Sequence, residues 1–151
     1  MIDSGRLNPD VVFGRECGSL PSGSAISFVD NHDTERNGET LSYADGERYA
    51  LGLAFLLAHP YGTPQLTSGY AFVGRDAPPP LLDDGRVEPA SCADAATEPQ
   101  PRYEPGTWVC PQRWSIVRGM LAFRAAVGDA PLTDAVEFDA PDDAALKSVT
   151  G

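Results

Sequence analysis

Six consecutive residues, Phe28 to Asp33, place two carboxylates, an amide and an imidazole directly after an apolar run. The run from Ala25 to Val29 predicts a short strand, and the polar residues after it predict a loop. Functional side chains commonly lie on loops at the carboxyl ends of strands. A carboxylate there can stabilise an oxocarbenium-like transition state, while His32 and Asp33 can hydrogen-bond the hydroxyls of a sugar. The stretch is therefore a candidate site for carbohydrate chemistry.

Two other interpretations of the same residues remain open. Asp30 and Asn31 could simply cap a turn after a buried strand, with His32 as an ordinary loop histidine. A metal site would use Asp30, His32 and Asp33, but the alternation of a strand points neighbouring side chains apart, and no further histidine is close in sequence. A serine hydrolase and a phosphate-binding loop are not indicated, because neither Gly-x-Ser-x-Gly nor a Gly-rich phosphate motif occurs.

Composition bounds the classes of partner. The chain has 151 residues and a formal net charge of −11, with 22 acidic against 11 basic residues. Nucleic acid is not an expected partner, because binding to phosphates depends on Lys and Arg. The amino-terminal residues lack the pattern of a signal peptide, and no apolar run is long enough to span a membrane. Of the three cysteines, Cys92 and Cys110 flank a Pro-rich stretch and could close it, whereas Cys17 has no evident partner.

The elements that must position the site alternate between strand and helix. We predict strands over Ser24–Asp30 and Thr63–Tyr70 and helices over Glu47–Ala58 and Gln112–Val127, the first strand being covered on both faces. Strand, helix and strand with short connections form a parallel crossover. Residues 74–107 carry many prolines and no periodicity, so we predict an irregular, functional or disordered insertion there.

Several segments resemble the α-amylase family in sequence and in order. Phe28 to Arg36 (FVDNHDTER) is similar to the fourth signature region of that family. The segments that follow it in the family are matched by LLAHPYGTP (56–64), SGYAF (68–72), WVCPQRW (108–114) and FRAAVG (123–128). The resemblance extends from about Gly18 to Gly128 and is nearest to the animal-like group, which includes actinobacterial enzymes.

This resemblance implies an α/β fold, namely the last two β/α units of a (β/α)8 TIM barrel. Residues 24–130 would be the carboxyl-terminal part of the catalytic barrel, with the Pro-rich loop 74–107 inside it. Residues 1–23 would be a remnant that precedes the seventh strand. Residues 135–151 would begin an all-β carboxyl-terminal domain, a β-sandwich.

The family pattern also implies roles for single residues. Asp33 corresponds to the carboxylate that stabilises the transition state, and both His32 and Asp33 would bind the substrate. Asn31 matches a position that ligates chloride in the animal enzymes, but Gln65 stands where those enzymes carry a basic residue, which argues against chloride here. Cys92 and Cys110 match a disulfide of some relatives.

The implied activity is the endo-hydrolysis of α-1,4-glucans, such as starch, glycogen and maltooligosaccharides, with retention of configuration. In this family the nucleophile and the general acid come from regions that precede the one seen here, so we expect the isolated chain to be inactive. The complete family enzyme is expected to bind calcium, to be secreted and to act as a monomer, whereas this chain should hold no metal. The alternative is a non-catalytic carbohydrate-binding or interaction remnant.

Overall fold

The computed structural model describes residues 2–3, 6–7 and 20–130. The elements in chain order are β1 (Ile2–Asp3), β2 (Arg6–Leu7), β3 (Ile26–Ser27), α1 (Thr34–Asn37), α2 (Glu47–Ala58), β4 (Thr63–Pro64), β5 (Gly69–Tyr70), β6 (Trp108–Val109) and α3 (Ser115–Val127). The predicted all-β segment 135–151 and most of the predicted remnant 1–23 lie outside the described residues.

The predicted parallel crossover is confirmed by the pairing of β3 with β4 on either side of α2. Ile26 pairs with Thr63, and the amide of Thr63 donates to the carbonyl of Ala25 at 2.9 Å. Helix α2 has the predicted bounds, because Glu47 follows a glycine with positive φ and His59 turns extended before Pro60. The carboxyl ends of β3 and β4 therefore lie at one edge of this small sheet.

The predicted strand over residues 63–70 is wrong as a single element, since it divides into β4 and β5. The ladder with β3 ends just after Pro64, where the amide of Gln65 donates to the carbonyl of Ser27 at 2.8 Å. The chain then changes partner, and β5 pairs antiparallel with β6, with Gly69 opposite Val109. Helix α3 begins later than predicted, because Pro111–Arg113 form a turn of 3-10 helix and Trp114 is extended. It ends as predicted at Val127, and Gly128, which follows it, has a φ of 55°.

The core lies between α2 and α3. Trp114, Tyr49 and Val117 are almost completely buried, and the ring of Tyr49 meets that of Trp114 edge-on at 5.8 Å between centroids. Arg124 of α3 donates to the carbonyls of Leu57 at 3.0 Å and His59 at 2.9 Å. Because the last carbonyls of a helix have no partner within it, this guanidinium both caps α2 and joins the two helices.

Strand β3 is covered on only one face by the described residues. Ala25 is buried and Val29 packs against Gly52 of α2, but Ile26 and Phe28 are 64% and 45% exposed. The prediction that both faces are covered is therefore wrong for the described part of the chain. A mostly apolar cavity of about 260 Å³ lies between β3 and α2, where Ile26, Phe28 and Val29 line it from the strand side and Gly52, Phe55 and Leu56 from the helix side.

Residues 74–107, called the long loop below, contain neither a helix nor a strand ladder, as predicted. A tight hairpin nevertheless forms inside it, with a single bridge between Leu81 and Val87. Its backbone closes through the amide of Glu88, which donates to the carbonyl of Pro80 at 2.8 Å. Gly85 occupies the turn with a φ of 80°, a conformation that side chains disfavour. The long loop is therefore irregular but folded.

Candidate active site

The candidate site is built on residues 30–36, called the site turn below, which leave the carboxyl end of β3. Asp30 is only 4% exposed, and its carboxylate accepts a hydrogen bond from the hydroxyl of Tyr49 at 2.8 Å. Its carbonyl accepts from the hydroxyl of Thr67, just after β4, at 3.2 Å. Burial raises the pKa of Asp30, and the Tyr49 hydrogen bond opposes that rise only in part. Asp30 thus anchors the first end of the site turn to the core.

Asn31 shapes the turn from within. Its side-chain oxygen accepts from the amides of Asp33 at 2.9 Å and Thr34 at 3.0 Å, while the Thr34 hydroxyl accepts from the amide of Asn31 at 3.0 Å. Such reciprocal bonds satisfy the free amides at the start of a helix, here α1. The interpretation of Asn31 as a turn-capping residue is therefore correct.

This capping leaves the next two side chains pointing to solvent. The side chains of His32 and Asp33 are 85% and 80% exposed, and His32 Nε2 lies 3.7 Å from Asp33 Oδ1. The two residues that the sequence assigns to substrate therefore stand beside each other, accessible to a ligand. An imidazole next to a carboxylate offers both a donor and acceptors for the hydroxyls of a sugar.

The second end of the site turn is held by Glu35 and Arg36. Glu35 is half-buried against Gly69, where an added Cβ would lie 3.2 Å from its carboxylate. Burial, followed by the nearby charge of Asp30, raises the pKa of Glu35. Arg36 donates to the carbonyls of Arg75 at 2.7 Å and Ala77 at 3.2 Å in the long loop. The turn is thus fixed at both ends and open in its middle.

The three residues of the metal interpretation do not converge. Asp30 points into the core toward Tyr49, whereas His32 and Asp33 face solvent. In the described part of the chain, no group of three or more His, Cys, Asp and Glu side chains could hold a metal ion. A cation site on these three residues is therefore not supported.

The residues that the resemblance assigns to chloride carry no positive charge. Asn31 is an uncharged amide whose oxygen accepts within the turn, and Gln65 has a neutral, exposed side chain. The amide of Gln65 serves the sheet by donating to the carbonyl of Ser27 at 2.8 Å. An anion would lack the positive charge that such a site requires.

Cys92 and Cys110 form a disulfide in the structure, with their Cα atoms 5.9 Å apart. The side-chain amide of Gln112 lies 3.5 Å from the sulfur of Cys92, and the hydroxyl of Ser68 donates to the side-chain oxygen of Gln112 at 2.9 Å. The disulfide thus ties the middle of the long loop to the residue that follows β6, which pairs with β5.

The supporting residues around the site turn were not found from the sequence. Tyr49 lies 19 positions from Asp30 and reads there as one more apolar residue of α2. Thr67 and Tyr70, which contact the two ends of the turn, lie in a segment predicted as a plain strand. The predicted pairing of β3 with β4 is the one feature that could have indicated Thr67, because this pairing brings residues after β4 next to residues after β3.

Comparison with known proteins gives consistent relatives in sequence and in structure. A scan against models of protein families found no match. The chain is 45% identical over 112 residues to an α-amylase of Streptomyces violaceus, covering 74% of this chain and 17% of that protein. It is 38% identical over 123 residues to an α-amylase-related protein of Drosophila melanogaster, covering 80% of this chain and 24% of that protein.

A crystal structure of α-amylase I from Eisenia fetida superposes with a TM-score of 0.71 at 26% identity, over 91% of this chain and 29% of that one. The chain therefore spans about a quarter or less of the two sequence relatives, and it matches their carboxyl-terminal part.

None of the helices in the described part of the chain has the length and apolar character that a membrane span requires. Sequence and fold together place this chain in the α-amylase family.

Proposed function

We propose that the chain is part of an α-amylase and provides the turn that holds an α-1,4-glucan at the point of cleavage. Asp33 stabilises the transition state, and His32 binds the hydroxyls of the same sugar. The observation that carries this proposal is the pair of exposed side chains, His32 and Asp33, on a turn where Asp30 and Asn31 are engaged in hydrogen bonds. The similarity of the chain to α-amylases supports this substrate class.

The chemistry follows from the charge of Asp33. Hydrolysis of a glycosidic bond passes through an oxocarbenium-like state, and a fixed carboxylate stabilises the positive charge that develops on the sugar. A carboxylate that accepts hydrogen bonds from two ring hydroxyls also fixes the orientation of the sugar. Asp33 is suited to this because the bonds of Asn31 hold its backbone while its side chain stays accessible.

We further propose that the isolated chain does not hydrolyse glucans. A retaining glycosidase needs a nucleophile and a general acid about 5 Å apart on either side of the bond. Of the three carboxylates on the site turn, Asp33 alone is exposed, since Asp30 is buried and Glu35 is half-buried. The turn by itself therefore offers one of the three carboxylates that the family uses, and retention belongs to the longer enzyme.

The finer architecture belongs to the same proposal. We assign β3, α2, β4 and α3 to the last two units of a (β/α)8 barrel, spanning residues 24–130. The longer enzyme would act on starch, glycogen or maltooligosaccharides as a secreted monomer and would hold its calcium with residues outside this chain.

Titration of maltoheptaose into the full chain tests the proposal, with binding measured by calorimetry and by the NMR signal of the His32 ring. We expect binding that weakens by about tenfold or more in Asp33→Asn, because a charge-assisted contact is lost. Asp129→Asn is the matched control, since Asp129 is an exposed acid at the end of α3. We expect no release of reducing sugar from starch.

Each outcome has a definite meaning. Absence of binding by the wild-type chain overturns the assignment of the site turn to glucan. Binding that Asp33→Asn leaves unchanged would locate the sugar elsewhere on the chain. Release of reducing sugar by the wild-type chain would contradict the proposed inactivity, whereas binding without hydrolysis agrees with it.

A further inference from the structure

Arg36 joins two parts of the molecule that are far apart in sequence. It lies on α1, three residues after Asp33. Its Nη1 donates to the carbonyls of Arg75 at 2.7 Å and Ala77 at 3.2 Å, and its Nη2 donates to the hydroxyl of Tyr70. These acceptors lie on β5 and on the first residues of the long loop.

The guanidinium also lies over two aromatic rings. It lies 5.2 Å from the ring centroid of Tyr70 and 4.4 Å from that of Phe72. The hydroxyl of Tyr70 donates in turn to the carbonyl of Ala77 at 3.0 Å, so Arg36 and Tyr70 share one acceptor. A planar guanidinium can stack on rings and donate in its own plane at the same time, which a lysine ammonium cannot do.

We propose that Arg36 is a positioning residue that couples the site turn to the entry of the long loop. Because Arg36 is in the same helical turn as Asp33, its bonds to residues 75 and 77 fix the position of that turn relative to the entry of the long loop. The role of this coupling in glucan binding rests on the proposed function above, whereas the coupling itself can be tested without a sugar.

The two ends of the site turn are consequently held in different ways. Asp30 is bound to the core through Tyr49 and Thr67, and this anchor does not depend on the long loop. Arg36 is bound to the entry of the long loop, whose middle is tied to the end of β6 by the disulfide between Cys92 and Cys110. Removal of Arg36 should therefore free the Asp33 end of the turn and the loop entry together, and should leave the Asp30 end in place.

The test uses the full chain with Arg36→Ala, Arg36→Lys and Tyr70→Phe, each compared with Arg118→Ala, which removes an exposed arginine of α3. The first readout is amide hydrogen exchange at residues 33–37 and 73–77. We expect about tenfold or faster exchange in both segments for Arg36→Ala, because the bonds that hold each are lost. Arg36→Lys should restore little, since the planar fork is absent.

The second readout is the NMR signal of the histidine rings. The chain has two histidines, so His32 reports on the site turn and His59, at the end of α2, serves as an internal reference. Arg36→Ala and Tyr70→Phe should shift the His32 signal and leave the His59 signal in place. The double variant Arg36→Ala/Tyr70→Phe should shift His32 by less than the sum of the two single changes, because the partners act as one unit.

Faster exchange in only one of the two segments, or an unchanged His32 signal in Arg36→Ala, would overturn the coupling. If Arg36→Ala unfolds the chain, both histidine signals will move to their unfolded positions. Tyr70→Phe then becomes the deciding variant, and an unchanged His32 signal in Tyr70→Phe would overturn the proposed coupling. Maltoheptaose titration of the same variants separates the two proposals. Wild-type chain that shows the coupling but binds no sugar would retain the role of Arg36 and reject the glucan site.

Discussion

The two faces of β3 lie in opposite surroundings. On one face, Ala25 is buried and Val29 packs against Gly52 of α2, and the core continues from there to Tyr49 and Trp114. On the other face, Ile26 and Phe28 remain 64% and 45% exposed. A strand of a parallel sheet is ordinarily covered on both faces. The stability of the described fold must therefore come from the helix pair and the loops that pack on it.

The site turn repeats this contrast on a smaller scale. Asp30 and Asp33 are the same residue type, three positions apart, yet one is buried and hydrogen-bonded and the other is exposed beside His32. Burial raises the pKa of Asp30, so the protein holds that carboxylate at a cost and fixes the turn with it. The accessible carboxylate is the one suited to meet a ligand. Asp30 therefore supports the turn, and Asp33 is the carboxylate that can contact a ligand.

Removal of the most buried aromatic side chain, Trp114, should cause the largest loss of stability. Trp114→Ala leaves a cavity between α2 and α3 and should lower the free energy of unfolding by about 3–5 kcal/mol. Urea unfolding followed by far-ultraviolet circular dichroism measures this change. A loss below about 1 kcal/mol would mean that the helix pair is not the main source of stability.

Opening the disulfide should come next in size, because it frees the long loop from β6. Cys92→Ser/Cys110→Ser should lower the free energy of unfolding by about 2–4 kcal/mol, since the bridge spans 18 positions and restricts the unfolded chain. Cys17→Ser is the matched control and should leave the disulfide intact. An unchanged free energy of unfolding in the double variant would mean that tying the long loop to β6 does not stabilise the fold.

The sequence predicted the parts of the fold that depend on local pattern. Helix α2 was predicted with its observed bounds because Glu47 and Pro60 mark its two ends. The division of residues 63–70 into β4 and β5 was missed, because the antiparallel partner of β5 lies about 40 residues later in β6, beyond a loop without periodicity. Long-range pairing of that kind leaves no local signal.

The candidate site was predicted to a similar extent. The polar residues after a strand indicated a candidate stretch, and the family resemblance singled out His32 and Asp33 within it; the structure places these two side chains together in solvent. Their supports were not identified, since Tyr49 and Arg36 act through contacts with residues 19 to 41 positions away. Residue type indicates what a side chain can do, whereas its partner is set by tertiary packing.

The hydroxyl of Tyr49 tests the covered end of the site turn. Tyr49→Phe keeps the packing on Trp114 but leaves the buried carboxylate of Asp30 without its side-chain donor, so we expect a loss of about 1–3 kcal/mol near neutral pH. Asp30→Asn in the same background should recover part of the loss, because the neutral amide costs less to bury. Urea unfolding measures both. Equal stability of Tyr49→Phe and wild type would mean that the hydrogen bond between Tyr49 and Asp30 does not stabilise the fold.

The pH dependence of the free energy of unfolding provides a control for Asp30→Asn. Because burial raises the pKa of folded Asp30 above the ordinary value of 3.8, the folded chain binds more protons than the unfolded chain between those two pKa values. The contribution of Asp30 to stability should therefore fall as the pH rises through that interval. Asp30→Asn should remove this decline, and a steeper decline in Asp30→Asn than in wild type would contradict the sign.

The smallest effect should come from the open face of β3, where Phe28→Ala removes a ring that is 45% exposed. A side chain that is already largely hydrated loses little burial on truncation, so the free energy of unfolding should fall by less than about 1 kcal/mol. Ile26→Thr, on the same face, should behave alike. The comparison with Trp114→Ala is sharp because both variants truncate an aromatic side chain to alanine. If Phe28→Ala costs as much as Trp114→Ala, the open face is covered in solution, and the contrast between the two faces of β3 is lost.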